Sequence, residues 1–193
     1  PEEFDQFLAV INNSAVHLAF DILFYTGMRS GELLALTRAD ILDSKKISVT
    51  KNFAVVKGEQ IITTPKTAKG KREISIPDDL YNEIMDYIKK LGGIEPDNRI
   101  FYFTKAALEK EIVRGSEKAG VKRIRVHDLR HSHASMLIHM GVPPKEVAER
   151  LGHESVKTTL DTYGHLYPDT DVLLAEKLND LRIGNSQEAA GDA

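Results

Sequence analysis

The stretch HDLRHSHASMLIHMGVPPKEVAERLGHESVKTTLDTY (127–163) decides the reading of this chain. His127 and Arg130 stand three positions apart, a spacing that puts two side chains on one helix face. A further histidine, His153, follows Gly152, and Tyr163 closes the stretch ten positions later. A permanent cation, imidazoles and a phenol suit an anionic substrate attacked by an oxygen nucleophile. Leu129, Met136, Leu137 and Met140 suggest the buried face of the first helix. Pro143 and Pro144 permit a second helix start, and Gly152 separates that helix from a third.

Working upstream, TGMRSGELLALT (26–37) places Arg29 between Gly27 and Gly31, with Ser30 as a candidate cap for a short helix carrying Leu33, Leu34 and Leu36 inward. A helix N-terminus beside an arginine is a good anion site; the plainer alternative is that Arg29 pairs with Glu32. Before it, 2–12 and 14–27 read as helices, with Ser14 a candidate N-cap and Gly27 a stop. Segments 46–51, 59–64 and 72–77 alternate and are rich in β-branched residues, predicting a three-stranded antiparallel sheet. Lys66, Lys69 and Lys71 would then sit on a basic hairpin tip. Residues 78–93, 104–120 and 171–182 read as amphipathic helices, 99–103 as a short strand, and 183–193 as a disordered tail. The expected fold is mostly α with a small antiparallel β-sheet (α+β), a single domain over 1–182.

Composition sets the outer limits. The 193 residues include no cysteine, which excludes a disulfide framework and a thiolate metal site and fits an intracellular protein. No apolar run approaches a membrane span, so no membrane partner is expected. The formal net charge is −3, which argues mildly against nucleic acid, yet the basic residues are unevenly placed. Positions 65–72 hold four cations and no acid, and 114–131 hold six cations against Glu117 and Asp128. A basic face on a nearly neutral domain results, although each run alone reads equally well as a solvated surface.

Four chemistries compete for the histidine-rich stretch. His127 and His131 at i, i+4 could ligate a metal, but a fixed guanidinium on that face opposes a divalent cation. Residues 143–163 could be a helix-turn-helix reader of DNA, which would leave His153 and Arg130 without a task. Phosphate hydrolysis through a nucleophilic histidine would leave Tyr163 unused. Tyrosine attack on a phosphodiester uses every feature. A phenol is a weak nucleophile at neutral pH, so it needs cations that stabilise phenolate and transition state. Two arginines can clamp the non-bridging oxygens, histidines can donate hydrogen bonds or move protons, and a lysine on the hairpin can protonate the leaving oxygen. No cofactor is called for.

Together TGMRSGELLALT, TPKTAKGKREISIP (64–77), HDLRHSHAS and LGHESVKTTLDTYGHL (151–166) resemble the catalytic domain of tyrosine recombinases, the phage-type integrases, most of all those of Gram-positive phages and conjugative transposons. The resemblance runs from about residue 20 to 167. It implies Arg29 and Arg130 as the catalytic arginines, His127 as the histidine preceding the second of them, and His153 as a transition-state hydrogen-bond donor. It implies Tyr163 as the nucleophile forming a 3′-phosphotyrosine, Lys66 as the general acid with Lys69 and Lys71 close by, and Glu32 as a supporting acid. Tyr25 and Tyr167 do not stand at the fitting distance from Gly-His. It also implies double-stranded DNA recombination sites, a homo-tetramer, accessory excision or bending proteins, integration or excision of a mobile element, and a cytoplasmic location in bacteria. N-terminal DNA-binding domains are expected before Pro1, and the helix at 171–182 could pack on a neighbouring subunit or on its own. The alternatives are a chromosome-dimer resolvase of the same chemistry and a non-catalytic DNA-binding module.

Overall fold

The computed structural model describes residues 1–65, 67–92, 94–167 and, further on, 174, 175, 178, 179 and 181. Helix α2 (Ser14–Thr26) is its central beam. Apolar residues surround this helix, and Ala19, Phe20 and Ile22 have no solvent exposure. Its N-cap is Asn13 rather than the expected Ser14: the Asn13 side chain accepts from the Ala15 and Val16 amides at 3.0 and 3.1 Å. Both candidates are good capping types, and the extended backbone at Asn13 makes it the cap. Gly27 ends the helix with φ 64°. Helix α1 (Glu2–Ala9) lies over α2, with Phe4 stacked on Phe24 at 3.9 Å and Phe7 edge-on to Phe20 at 5.0 Å.

The short helix α3 (Ser30–Ala35) follows at once and buries Leu33 and Leu34, with Leu36 buried just beyond its end. Arg29 takes the cap position and Ser30 is the first helical residue, because the Glu32 carboxylate accepts from the Arg29 amide at 2.8 Å.

The sheet differs from the expected one. Strands β1 (Ile41–Leu42), β2 (Lys46–Val49) and β5 (Arg72–Ser75) form one antiparallel sheet in the order β1-β2-β5. Strands β3 (Asn52–Val56) and β4 (Glu59–Thr63) form a separate hairpin. The cause is the two-residue turn Lys57-Gly58, whose φ values of 51° and 86° suit a tight hairpin. That turn pairs 59–63 with the segment directly before it and leaves 72–75 to return to β2. The basic run after β4 is therefore a connection containing a 3₁₀ turn at Ala68–Gly70, not a hairpin tip. Segment 99–103 is not a strand either. It makes one bridge, Thr37 with Arg99, while Ile100 and Phe101 are buried under it.

Helices α4 (Asp78–Lys90) and α5 (Lys105–Ala119) close the main core through Leu80, Ile84, Ile88, Leu108 and Ile112. Helix α6 (Asp128–His139) then crosses α2 and leads to α7 (Pro144–Leu151) and α8 (Val156–Tyr163). The expected buried face of α6 holds only in part. Leu129 is buried, Met136 and Leu137 are half-buried, and Met140 is 70% exposed. Arg130, His133, Ala134 and Ile138 are buried instead, because α6 is wedged between the main core and a second small core shared with α7 and α8. That second core comprises Ala134, Ile138, Val147, Leu151 and Tyr163. Of the helix expected over 171–182, the five described residues are helical, and Leu174, Leu178 and Leu181 are exposed. The rest of that helix, and the tail 183–193, lie outside the described residues.

Asn13→Ala is expected to lower the unfolding free energy by about 1 kcal/mol, whereas Ser14→Ala should change it by less than about 0.5 kcal/mol. Urea unfolding of the two variants checks the assignment of the cap.

Candidate active site

The site forms where the C-terminal ends of α2 and α7 meet the start of α6 and the end of α8. The last carbonyls of a helix have no partner within it, and here two arginines supply one. Arg130 donates to the Gly27 carbonyl at the end of α2 and to the Leu151 carbonyl at the end of α7, both at 2.8 Å. Arg72, from β5, donates through Nε to the Arg150 carbonyl at 2.8 Å. The glycines make this closeness possible. A Cβ on Gly27 would meet the His133 ring at 2.6 Å, and one on Gly152 would meet the Arg72 guanidinium at 2.9 Å and the Lys69 carbonyl at 3.1 Å.

Arg130 is only 4% exposed. Burial, together with the charge of Arg29, pulls its pKa down to about 9, which still leaves it cationic at neutral pH. Arg29 enters from the α2–α3 turn, keeps its side chain partly in solvent and pairs with Glu32 at 2.9 Å. The pairing considered as an alternative to an anion site thus exists, and it holds the guanidinium at the rim beside Arg130. Glu32 is buried and also takes a two-pronged contact from Arg72, at 2.9 and 3.2 Å. Burial alone would raise the Glu32 pKa, but the Arg72 hydrogen bonds and charge, helped by Arg29, hold it below the usual carboxylate value.

His153 follows the left-handed Gly152, and its Nδ1 lies 2.8 Å from the fully buried Thr159 hydroxyl. Burial, then the charges of Arg130, Arg29 and Arg72, lower its pKa to about 4. The ring is neutral at pH 7, and in the tautomer whose Nδ1 accepts from the Thr159 hydroxyl the proton is on Nε2, free for donation. His127 precedes α6 at the rim, and burial with the nearby His131 and Arg130 charges lowers its pKa too. Tyr163, 5% exposed, ends α8 inside the site. Its hydroxyl lies 2.7 Å from Nδ1 of His131. Burial raises the phenol pKa and Arg130 opposes that rise.

Five of the six expected residues, Arg29, His127, Arg130, His153 and Tyr163, are brought together. The sixth, Lys66, lies outside the described residues; its neighbour in the same connection, Lys69, passes its backbone against Gly152. Sequence reasoning missed three contributors. Arg72 had been read as surface charge, yet in β5 it shares a side with buried Ile74, and that alternation marks it as inward. Arg150 stands three positions after buried Val147, on the same side of α7. It donates to His133 Nε2 at 3.0 Å and to the Tyr25 carbonyl at 3.0 Å. Burial, then the charge of Arg150, lowers the His133 pKa to about 4, and its Nδ1 reaches toward the Phe24 carbonyl without a well-formed hydrogen bond. His131 had been considered only as a metal ligand. Among the described residues, no group of three or more His, Asp or Glu side chains converges on a metal position.

Residues 1–169 match the family model described as the phage integrase family. The chain is 37% identical to the ICEBs1 integrase of Bacillus subtilis over 197 residues, covering 94% of this chain and 54% of that protein. It is 29% identical to a XerC-like tyrosine recombinase of Caldanaerobacter subterraneus, covering 94% of this chain and 54% of that protein. Among solved structures it superposes on the Tn1549 transposon integrase in complex with transposon right end DNA. The TM-score is 0.74 at 26% identity, over 93% of this chain and 64% of that one. The chain therefore spans about half the length of these two sequence relatives.

Glu32→Gln should lower stability at pH 7 by about 3–5 kcal/mol, the cost of leaving buried Arg72 without its counter-charge. A carboxylate whose folded pKa is depressed contributes fully above its unfolded value of 4.5 and loses that contribution as pH falls. The gap between wild type and variant is thus expected to shrink as pH drops below 4.5, read by urea unfolding across a pH series.

Proposed function

Because the chain belongs to the phage integrase family, we propose that it is the strand-cleaving part of a site-specific DNA recombinase working through a covalent tyrosine intermediate. The observation that carries this reading is the placement of the Tyr163 hydroxyl. It is docked within its own chain beside His131, under the field of the buried Arg130. Arg29 and Arg130 bind the non-bridging oxygens of the scissile phosphate, and their charges stabilise the five-coordinate transition state. His153 donates from Nε2 to the same oxygens, and His127 lines the rim. Tyr163 attacks phosphorus, the 5′ oxygen departs with a proton from Lys66, and a 3′-phosphotyrosine remains. Lys69 and Lys71 are the alternative acids on that connection. A 5′ hydroxyl from the partner strand reverses the step and rejoins the DNA. The four side-chain types present supply all of this chemistry without a cofactor.

The substrate is double-stranded DNA carrying the recombination sites of a mobile element, and the reaction is its integration or excision. The working assembly is a homo-tetramer aided by accessory excision or bending proteins, in the bacterial cytoplasm. No helix among the described residues is long and apolar enough to cross a membrane. The XerC-like relative favours a second reading, resolution of chromosome dimers, which would use the same site on different DNA.

A suicide substrate nicked beside the cleavage point, built from the element's own ends, tests the reading with the full-length protein. The wild type is expected to form a covalent adduct that resists denaturation and forms in EDTA, while Tyr163→Phe forms none. Equal binding by both proteins with no adduct from either would instead identify a DNA reader without catalysis. Deleting 170–193 from the full-length protein is expected to weaken assembly on paired sites, measured by native gel shift; unchanged assembly would remove any role in trans for that segment.

A further inference from the structure

The sequence pattern marks His127 as the histidine preceding the second arginine, but the histidine that lies beside Tyr163 is its neighbour one helical turn later. His131 Nδ1 lies 2.7 Å from the Tyr163 hydroxyl, the length of a strong hydrogen bond. No hydrogen bond joins His127 to Tyr163 among the described residues; its ring meets His131 edge-on, with centroids 5.1 Å apart. We propose that His131 is the general base of strand cleavage, taking the phenolic proton of Tyr163 through Nδ1. This rests on the recombinase reading and adds a residue to it.

The surroundings fit a proton acceptor. Tyr163 is sealed into the small core of Ala134, Ile138, Val147 and Leu151, so bulk water is a poor acceptor there. The guanidinium of Arg130, held by two carbonyls, is already cationic and cannot take the proton, while its charge favours the phenolate. Among the described residues neither His127 nor His153 makes a hydrogen bond to Tyr163, so neither competes for its proton. The step balances. The Tyr163 O–H bond breaks and its proton moves to Nδ1, the phenolic oxygen bonds to phosphorus, and the bond from phosphorus to the 5′ oxygen breaks. That oxygen takes a proton from the lysine of the basic connection. Rejoining runs the sequence backwards, and His131 returns the proton to Tyr163.

The test measures the single-turnover rate of adduct formation on the suicide substrate with full-length His131→Ala and His131→Asn. Asn keeps an acceptor near the position of Nδ1 but is too weak a base to hold the proton. Both variants are expected to bind DNA as the wild type does and to cleave about 10²-fold or more slowly. Replacing Tyr163 by a fluorinated tyrosine with a more acidic phenol should recover most of the deficit in both. A wild-type rate in His131→Asn, or a deficit that the acidic phenol leaves unchanged, overturns the assignment. If Ala disturbs folding, Asn decides alone. Absence of any wild-type adduct would overturn the recombinase reading itself, which separates that failure from a failure of His131.

Discussion

The hydrogen bonds of Arg130 to the Gly27 and Leu151 carbonyls are the constraint on which the site depends. Each helix end carries partial negative charge from carbonyls without partners, and one guanidinium satisfies both. The consequence is positional as well as energetic. Joining the end of α2 to the end of α7 brings the Arg29 turn, which follows α2, against His153, which follows α7. The same two bonds fix the plane of the cation. A lysine could not do this, because its single ammonium lacks the rigid fork. Gly27 and Gly152 belong to the same constraint, since a side chain on either would collide with the residues packed there.

Burying these cations, and then setting them beside one another, has a cost, visible in the lowered pKa values of Arg130 and Arg150. Glu32 offsets it by lying buried between Arg29 and Arg72. Among the described residues Arg130 has no carboxylate partner of its own, so the site retains net positive charge at the point where an anion would bind. Burial first, and then the charges of the same arginines, act on the histidines. With pKa values near 4, His133 and His153 are neutral at pH 7 and avoid adding to the repulsion. A neutral His153 still donates a hydrogen bond, which is all that a phosphate oxygen asks of it.

The readable parts of this architecture are those set by local chemistry. The helices around Phe20, Leu33 and Ile84 follow from apolar spacing, and five site residues follow from the motifs that carry them. What was misread depends on partners distant in sequence. The pairing of β5 with β2 rather than β4 was hidden because two neighbouring Lys-Gly steps look alike, and only Lys57-Gly58 forms a two-residue hairpin turn. The burial of Arg72, Arg150 and His133 was hidden because each is polar and becomes internal through bonds spanning up to 125 positions. In Arg72 a clue was present, since it alternates in phase with Ile74. Met140, by contrast, has the right period for burial and is exposed, because α6 ends where the second core begins to open.

On the recombinase reading, that second core makes Tyr163 both a poor and a suitable nucleophile. Burying the phenol among Ala134, Ile138, Val147 and Leu151 raises its pKa and makes attack harder. On the recombinase reading, the same burial would limit the access of water to a phosphotyrosine, and water is the competitor that would turn strand exchange into hydrolysis. A hydrolase would gain by exposing the site. A recombinase must preserve the phosphodiester energy in the covalent link until another strand arrives. A buried phenol with a fixed imidazole at hydrogen-bond distance meets both demands, because the imidazole supplies the proton acceptor that excluded water cannot. On this argument the depth of Tyr163 and the contact with His131 belong together, and neither would be useful without the other.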